Sequence, residues 1–440
     1  MKILISNGRV IDPASGFDGI ADVAIASGRI VGIGAASAPA DFTPVRVIDA
    51  DGLVVVPGLV DLTARLREPG YEHERMLESE MAAAVAGGVT SLVCPPDTDP
   101  VLDEPGLVEM LKFRAEKLHQ ARLFPLGALT RGLAGEVLTE MADLTEAGCV
   151  GFGQADVALS NPQVLQRALQ YAATYGYTGW LRPQDGHLGK GVAASGALAT
   201  RLGLAGVPVA AETIALHTIF ELQKTTGAHV HLCRLSSAAG VELVRRAKSE
   251  GLHVTCDISI NSLHLTDNDI GFFDSRARLT PPLRQQRDRD ALRAALADGT
   301  IDALVSDHAP VDEDMKVLPF AEAEPGATGL ELLLSLAVKW ADERGTPDAL
   351  PRAIATLTSA PAGVLGSALG TLQASAGRLA VGGVADVCVF DPVARWTVTD
   401  AALHSQGKHT PFSGYELPGQ VRCTLVGGVV VYEAAAAAAA

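Results

Sequence analysis

The chain has 440 residues, 48% of them hydrophobic, with 45 glycines and a formal charge of −16 at pH 7. That length exceeds one small core and suits a barrel of roughly 250 residues plus an accessory domain. The acidic balance, with a pI near 5.1, argues against nucleic acid or an anionic membrane as partner. Cys94, Cys149, Cys233, Cys256, Cys388 and Cys423 show no CxxC spacing and read as free thiols of a reducing compartment. No long apolar run and no signal-peptide profile over residues 1–6 are read, so the expected location is the cytoplasm.

Residues 1–56 show short alternating strands near 3–5, 9–11, 23–25, 30–33, 45–47 and 53–56, with Asn7-Gly8 and Ser27-Gly28 as hairpin turns. From residue 57 the pattern changes. Helices are predicted over 74–86, 105–120, 135–147, 161–175, 205–226, 237–250 and 287–297, each followed by a short apolar strand. That alternation predicts a (β/α)8 TIM barrel over 57–375. Residues 376–433 return to strands, separated by Gly382-Gly383 and Gly427-Gly428. Neither end segment buries both faces alone, so 1–56 and 376–433 are expected to form one small β-sandwich. The class is α/β, and the alanine tail at 434–440 carries no pattern.

One stretch organises the rest: Pro57-Gly58-Leu59-Val60-Asp61-Leu62-Thr63-Ala64-Arg65-Leu66-Arg67-Glu68-Pro69-Gly70. This frame resembles the first barrel strand of the amidohydrolase superfamily, and most closely that of the dihydroorotases. In that family histidines stand at the positions of Thr63 and Arg65. Histidines two apart on a strand project to one side and can share a metal centre. Threonine offers no imidazole nitrogen, and a permanently charged guanidinium repels a cation.

The resemblance covers nearly the whole chain and implies a role for each strand end. Pro96-Asp97-Thr98-Asp99-Pro100 puts an acid where the family's asparagine touches substrate. Gln154 and Ala155 stand in the register of a metal-bridging acid, with Asp156 next in sequence. Arg182 and Arg234 fall on two further ligand positions, so Thr63, Arg65, Arg182 and Arg234 are degenerate metal-ligand positions. Asp307, in Ser306-Asp307-His308-Ala309-Pro310, keeps the vestigial position of the base that activates water. Arg67 matches the family's substrate-carboxylate position; the other reading is a loop charge in an ion pair. His231, His264 and His308 are residual candidates for a rearranged single-metal site with Asp307, or else packed core histidines. A buried acid stripped of its metal needs another counter-charge, so Arg65, Arg182 and Arg234 are expected to point toward the same barrel mouth, one or more of them neutralising Asp307.

With these substitutions no catalytic residue is expected to function, and no cofactor is expected, zinc in particular being absent. The resemblance then implies a dihydroorotase-like pseudoenzyme of pyrimidine biosynthesis. Its expected partner is the aspartate transcarbamoylase catalytic subunit, which it joins as a homo-oligomer within a larger complex. The alternative is an active dihydroorotase, or another cyclic-amide hydrolase, with a rearranged single-metal site. A third reading makes the arginine cluster a receptor for a carboxylate or phosphate metabolite.

Overall fold

The computed structural model describes residues 1–34, 39 and 42–435; residues 436–440 of the alanine tail lie outside the described residues. Strands from both ends of the chain share one eight-stranded sheet. Lys2–Asp12 pairs antiparallel with Phe17–Ala26, which pairs with Arg29–Ile33. Val54–Pro57 joins the two halves, parallel to the first strand and antiparallel to Val387–Thr397. Glu416–Val426 and Val429–Glu433 complete that side. Alternation buries Ile3, Ile5, Val23, Ile25, Val55 and Val387 in one core. Asn7-Gly8, read as a turn, is instead a bulge inside Lys2–Asp12, where the register shifts and Asn7 takes a φ of 63°. The reason is close approach: a Cβ on Gly8 would lie 2.6 Å from Val55 Cγ2.

Between these ends eight parallel strands form a barrel. They are Leu59–Asp61, Val89–Cys94, Arg122–Pro125 continued by Gly127–Ala128, Phe152–Gly153, Thr178–Leu181, His229–Leu232, Val254–Ser259 and Ala303–Val305. Neighbours pair in that order, and a bridge between Ala64 and His308 brings the last strand back to the first. Inward residues Val60, Leu62, Val93, Trp180 and Val305 fill the interior, while outward ones pack on the surrounding helices. Helix starts follow local chemistry. Asn161 caps Pro162–Tyr175 through Gln163 N–H, and Ser237 caps Ala238–Ser249 through Gly240 N–H.

Two helices begin later than their apolar pattern suggests. The helix predicted over 135–147 is only Met141–Ala147, because Gly135 turns at a φ of 76° and Leu138 bridges to Thr130. The one predicted over 205–226 is Val209–Thr226, since Gly206–Val207 pairs as a strand with Ala193–Ala194. The region 349–372 is apolar and long enough for a membrane span by composition, contrary to the reading of no such run. It is divided into Ala349–Ala355, Ser359–Leu365 and Gly366–Leu372, and half of its most apolar window is buried.

Candidate functional site

The strand ends deliver charged side chains to one mouth. Arg65, Asp97, Asp156, Arg182, Arg234 and Asp307 each follow a barrel strand within a few residues. Arg67, Ala155, Arg234 and Asp307 have φ values of 60°, 49°, 55° and 51°. Non-glycine residues rarely adopt this conformation, which costs about 1–3 kcal/mol apiece and clusters at functional sites. Each turns the chain sharply where it leaves the barrel.

Arg65 donates from Nε to Asp97 Oδ2 at 2.8 Å and from Nη2 to Asp156 Oδ2 at 2.8 Å. Arg182 Nε lies 2.6 Å from Asp156 Oδ1, and its Nη2 donates to the Asp156 carbonyl at 3.2 Å. Arg234 donates from Nη1 to Asp307 Oδ1 at 3.0 Å and to the Thr280 carbonyl at 3.1 Å, and from Nη2 to Asp156. Asp156 is therefore the acid on which all three guanidiniums converge, and Arg234 alone hydrogen-bonds Asp307. Burial alone would raise the Asp156 carboxyl, but Arg234, Arg65 and Arg182 outweigh it and hold the group far below the ordinary carboxylate range. Asp307 moves the other way. Burial raises it, and Asp156 adds to the rise, beyond what Arg234 and Arg65 offset.

Arg67 stands at the same mouth, shared between the Pro310 carbonyl at 2.8 Å, Glu74 at 3.0 Å and Glu324 at 3.3 Å. Together Arg65, Arg67, Arg182 and Arg234 face Asp97, Asp156, Asp307, Glu74 and Glu324. Four guanidiniums against five carboxylates leave no surplus positive charge for an added anion, which counts against the metabolite-receptor reading. A cavity of about 180 Å³ remains beside them, lined by Arg65, Arg67, Arg234, Thr280, Asp307 and Glu324 among others.

The histidines do not gather around Asp307. His308 Nδ1 accepts from Gly329 N–H at 3.1 Å, so its hydrogen sits on Nε2 and goes to Glu80 at 2.8 Å. His264 Nε2 donates to the Leu336 carbonyl at 2.9 Å, away from the mouth. His231 lies inside the barrel, with Nδ1 2.8 Å from Thr255 Oγ1 and Nε2 2.9 Å from Asp257 Oδ2. Beside them Asp61 takes hydrogen bonds from Ser306 N–H at 3.1 Å, Thr63 N–H at 3.3 Å and the Ser306 hydroxyl. Burial nonetheless pushes its pKa up to about 6.

Sequence reasoning passed over two residues that matter here, Cys233 and Asp257. His231 Nε2 or Nδ1, Cys233 Sγ and one Asp257 carboxylate oxygen all lie within 4.8 Å of one another. The signal was partly available: His231 and Cys233 are two apart across the end of one strand, where Cys233 N–H still bonds the Leu181 carbonyl, and so face the same side. Asp257 comes from the neighbouring strand, His231 pairing with Thr255 in the ladder.

Residues 52–239 match the Dihydro-orotase-like family model, and residues 199–431 match the Amidohydrolase family. A "Dihydroorotase-like protein" of Pseudomonas aeruginosa is 45% identical over 434 residues, covering 98% of this chain and 100% of the relative. A "Dihydroorotase" of a Geobacter species is 40% identical over 435 residues, covering 99% and 100%. Among solved structures, the L-hydantoinase (dihydropyrimidinase) from Arthrobacter aurescens superposes with a TM-score of 0.84. Its identity is 24%, over 98% of this chain and 96% of that one, and the likeness concerns the fold alone. These matches and the donor trio overturn the expectation that no metal cofactor, zinc included, belongs to this chain. Nitrogen, sulfur and carboxylate oxygen are donors that zinc accepts, and three protein ligands suffice for an open site. His231 is among the histidines that the sequence offers for a single-metal site, but its nearness to Asp257 is set by the pairing of neighbouring strands, which the sequence alone does not fix.

Proposed function

The chain belongs to the dihydroorotase-like amidohydrolases, and on that premise we propose that it keeps the family barrel without hydrolysing a cyclic amide at its mouth. It serves instead as an assembly partner of aspartate transcarbamoylase in pyrimidine synthesis, as a cytoplasmic homo-oligomer within that complex. The carrying observation is the convergence of Arg65, Arg182 and Arg234 on Asp156. Hydrolysis by a metal-activated hydroxide needs an open cation position at the strand ends, and guanidiniums repel a cation there. The 45% identical relative named dihydroorotase-like fits this reading. The partner is the one that the family resemblance implies.

A second reading, hydrolysis of dihydroorotate or another cyclic amide through a rearranged single-metal site, has its own support. Full-length relatives at 39–40% identity are named dihydroorotase, which weighs toward an active enzyme more than toward a scaffold. Turnover of dihydroorotate by the purified protein, with and without added zinc, separates the two. The scaffold reading expects no turnover in either case and co-purification with the transcarbamoylase catalytic subunit. Zinc-dependent turnover abolished by D307N would replace it with the hydrolase reading.

A further inference from the structure

His231, Cys233 and Asp257 face one another inside the barrel, adjoining the arginine–aspartate network at Arg234. The Arg234 N–H holds Asp257 Oδ1 at 2.7 Å, which leaves Oδ2 turned toward His231. Thr255 Oγ1 supports the other ring nitrogen at 2.8 Å, as a hydroxyl oxygen can when imidazole binds a metal. The Trp180 ring walls the histidine at 4.4 Å between centroids. A void of about 20 Å³ touches the trio at Cys233 only, its other walls including Thr63, Arg65, Trp180 and Arg234, so an ion would sit between the three donors and not in that void.

We propose that His231, Cys233 and Asp257 bind one zinc-class divalent ion, at a site distinct from the substituted positions at the mouth. Bond lengths of about 2.0 Å to nitrogen and oxygen and 2.3 Å to sulfur place ligand atoms roughly 3.3–3.7 Å apart. His231 and Asp257 already stand at 2.9 Å, so the outer limit of 4.8 Å closes by a shift of about one ångström. The protons balance. The histidine hydrogen moves from Nε2 to Nδ1 and is donated to Thr255 Oγ1, whose own hydrogen turns away. The Cys233 S–H proton leaves to solvent, one per ion bound. Without an ion, burial keeps that thiol protonated, so the same trio rests as a hydrogen-bonded His–Asp pair beside a neutral thiol. The site stands whether or not the chain hydrolyses anything, because its readouts are metal and ligand, not turnover.

Elemental analysis and X-ray absorption on the full-length protein, followed by cobalt titration of the stripped protein, test this. The expected result is one zinc per chain with a single sulfur neighbour, and a thiolate-to-cobalt charge-transfer band. C233S abolishes that band, D257N weakens cobalt binding at least tenfold, and C423S changes neither. Absence of the ion and of the band in the wild-type protein overturns the proposal. So does a zinc shell without sulfur, which is read on the wild-type chain even if C233S fails to fold, or a band that survives C233S.

Discussion

Arg234 is the guanidinium that bridges Asp156 and Asp307, and both arginine and aspartates are removed from bulk water to differing degrees. Breaking a buried pair from one side costs about 3–5 kcal/mol, because the remaining charge is uncompensated. R234M is therefore expected to lower the urea midpoint strongly, and adding D307N should recover part of the loss. If the double variant is no more stable than R234M, Asp307 is not the group left stranded. Asp61 gives a pH-dependent counterpart. Its folded pKa, pushed up by burial to about 6, exceeds the ordinary 3.8. Between those values the folded state holds more protons, so its contribution improves as pH falls and worsens as pH rises through 6. The Ser306 hydroxyl eases the ionised form. S306A should cost about 1–3 kcal/mol at pH 8 and less at pH 5, where the carboxyl is protonated in both proteins. Equal losses at the two pH values would discard the argument.

Helix Leu77–Ala86 ends at Gly87, where backbone from another part of the barrel comes against it. A Cβ there would lie 2.5 Å from the Leu330 carbonyl oxygen and 3.0 Å from Glu331 Cα, neither able to rotate away. The glycine's φ of −82° suits any residue, so the whole cost of G87A is steric. It is expected at about 1–3 kcal/mol, seen as a lower urea midpoint with unchanged slope. A changed slope would mean that the unfolded state, not this contact, is affected. The periodic elements were legible in the sequence because helix and strand repeats are local. The late start at Met141 was not, since it depends on Leu138 bridging to Thr130. The site divides in the same way. A strand reading places Arg65, Arg182 and Arg234 at the mouth, but which acid each meets depends on rotamer and ladder register. Asp156 thus looked displaced from its register, and the approach of Asp257 to His231 and Cys233 was invisible until strand neighbours were known.

The whole molecule carries a net charge of −16, which works against compactness through self-repulsion. Raising salt from about 0.01 M to 0.15 M shortens the screening length from about 30 Å to 8 Å. The melting temperature is expected to rise modestly over that range; a fall would mean that attractive pairs such as Arg65 with Asp97 dominate the balance. The sheet built from both ends has a consequence in time. Val54–Pro57 finds its antiparallel neighbour only in Val387–Phe390, about 330 residues later. At a synthesis rate of about 5–20 residues per second, that wait is roughly 15 to 65 seconds on the ribosome. Throughout it, an apolar strand edge stands without its mate, while the barrel segments emerge in order and pair with the strand just made. The edge of Val54–Pro57 is thus exposed to mispairing until Val387–Phe390 emerges to cover it.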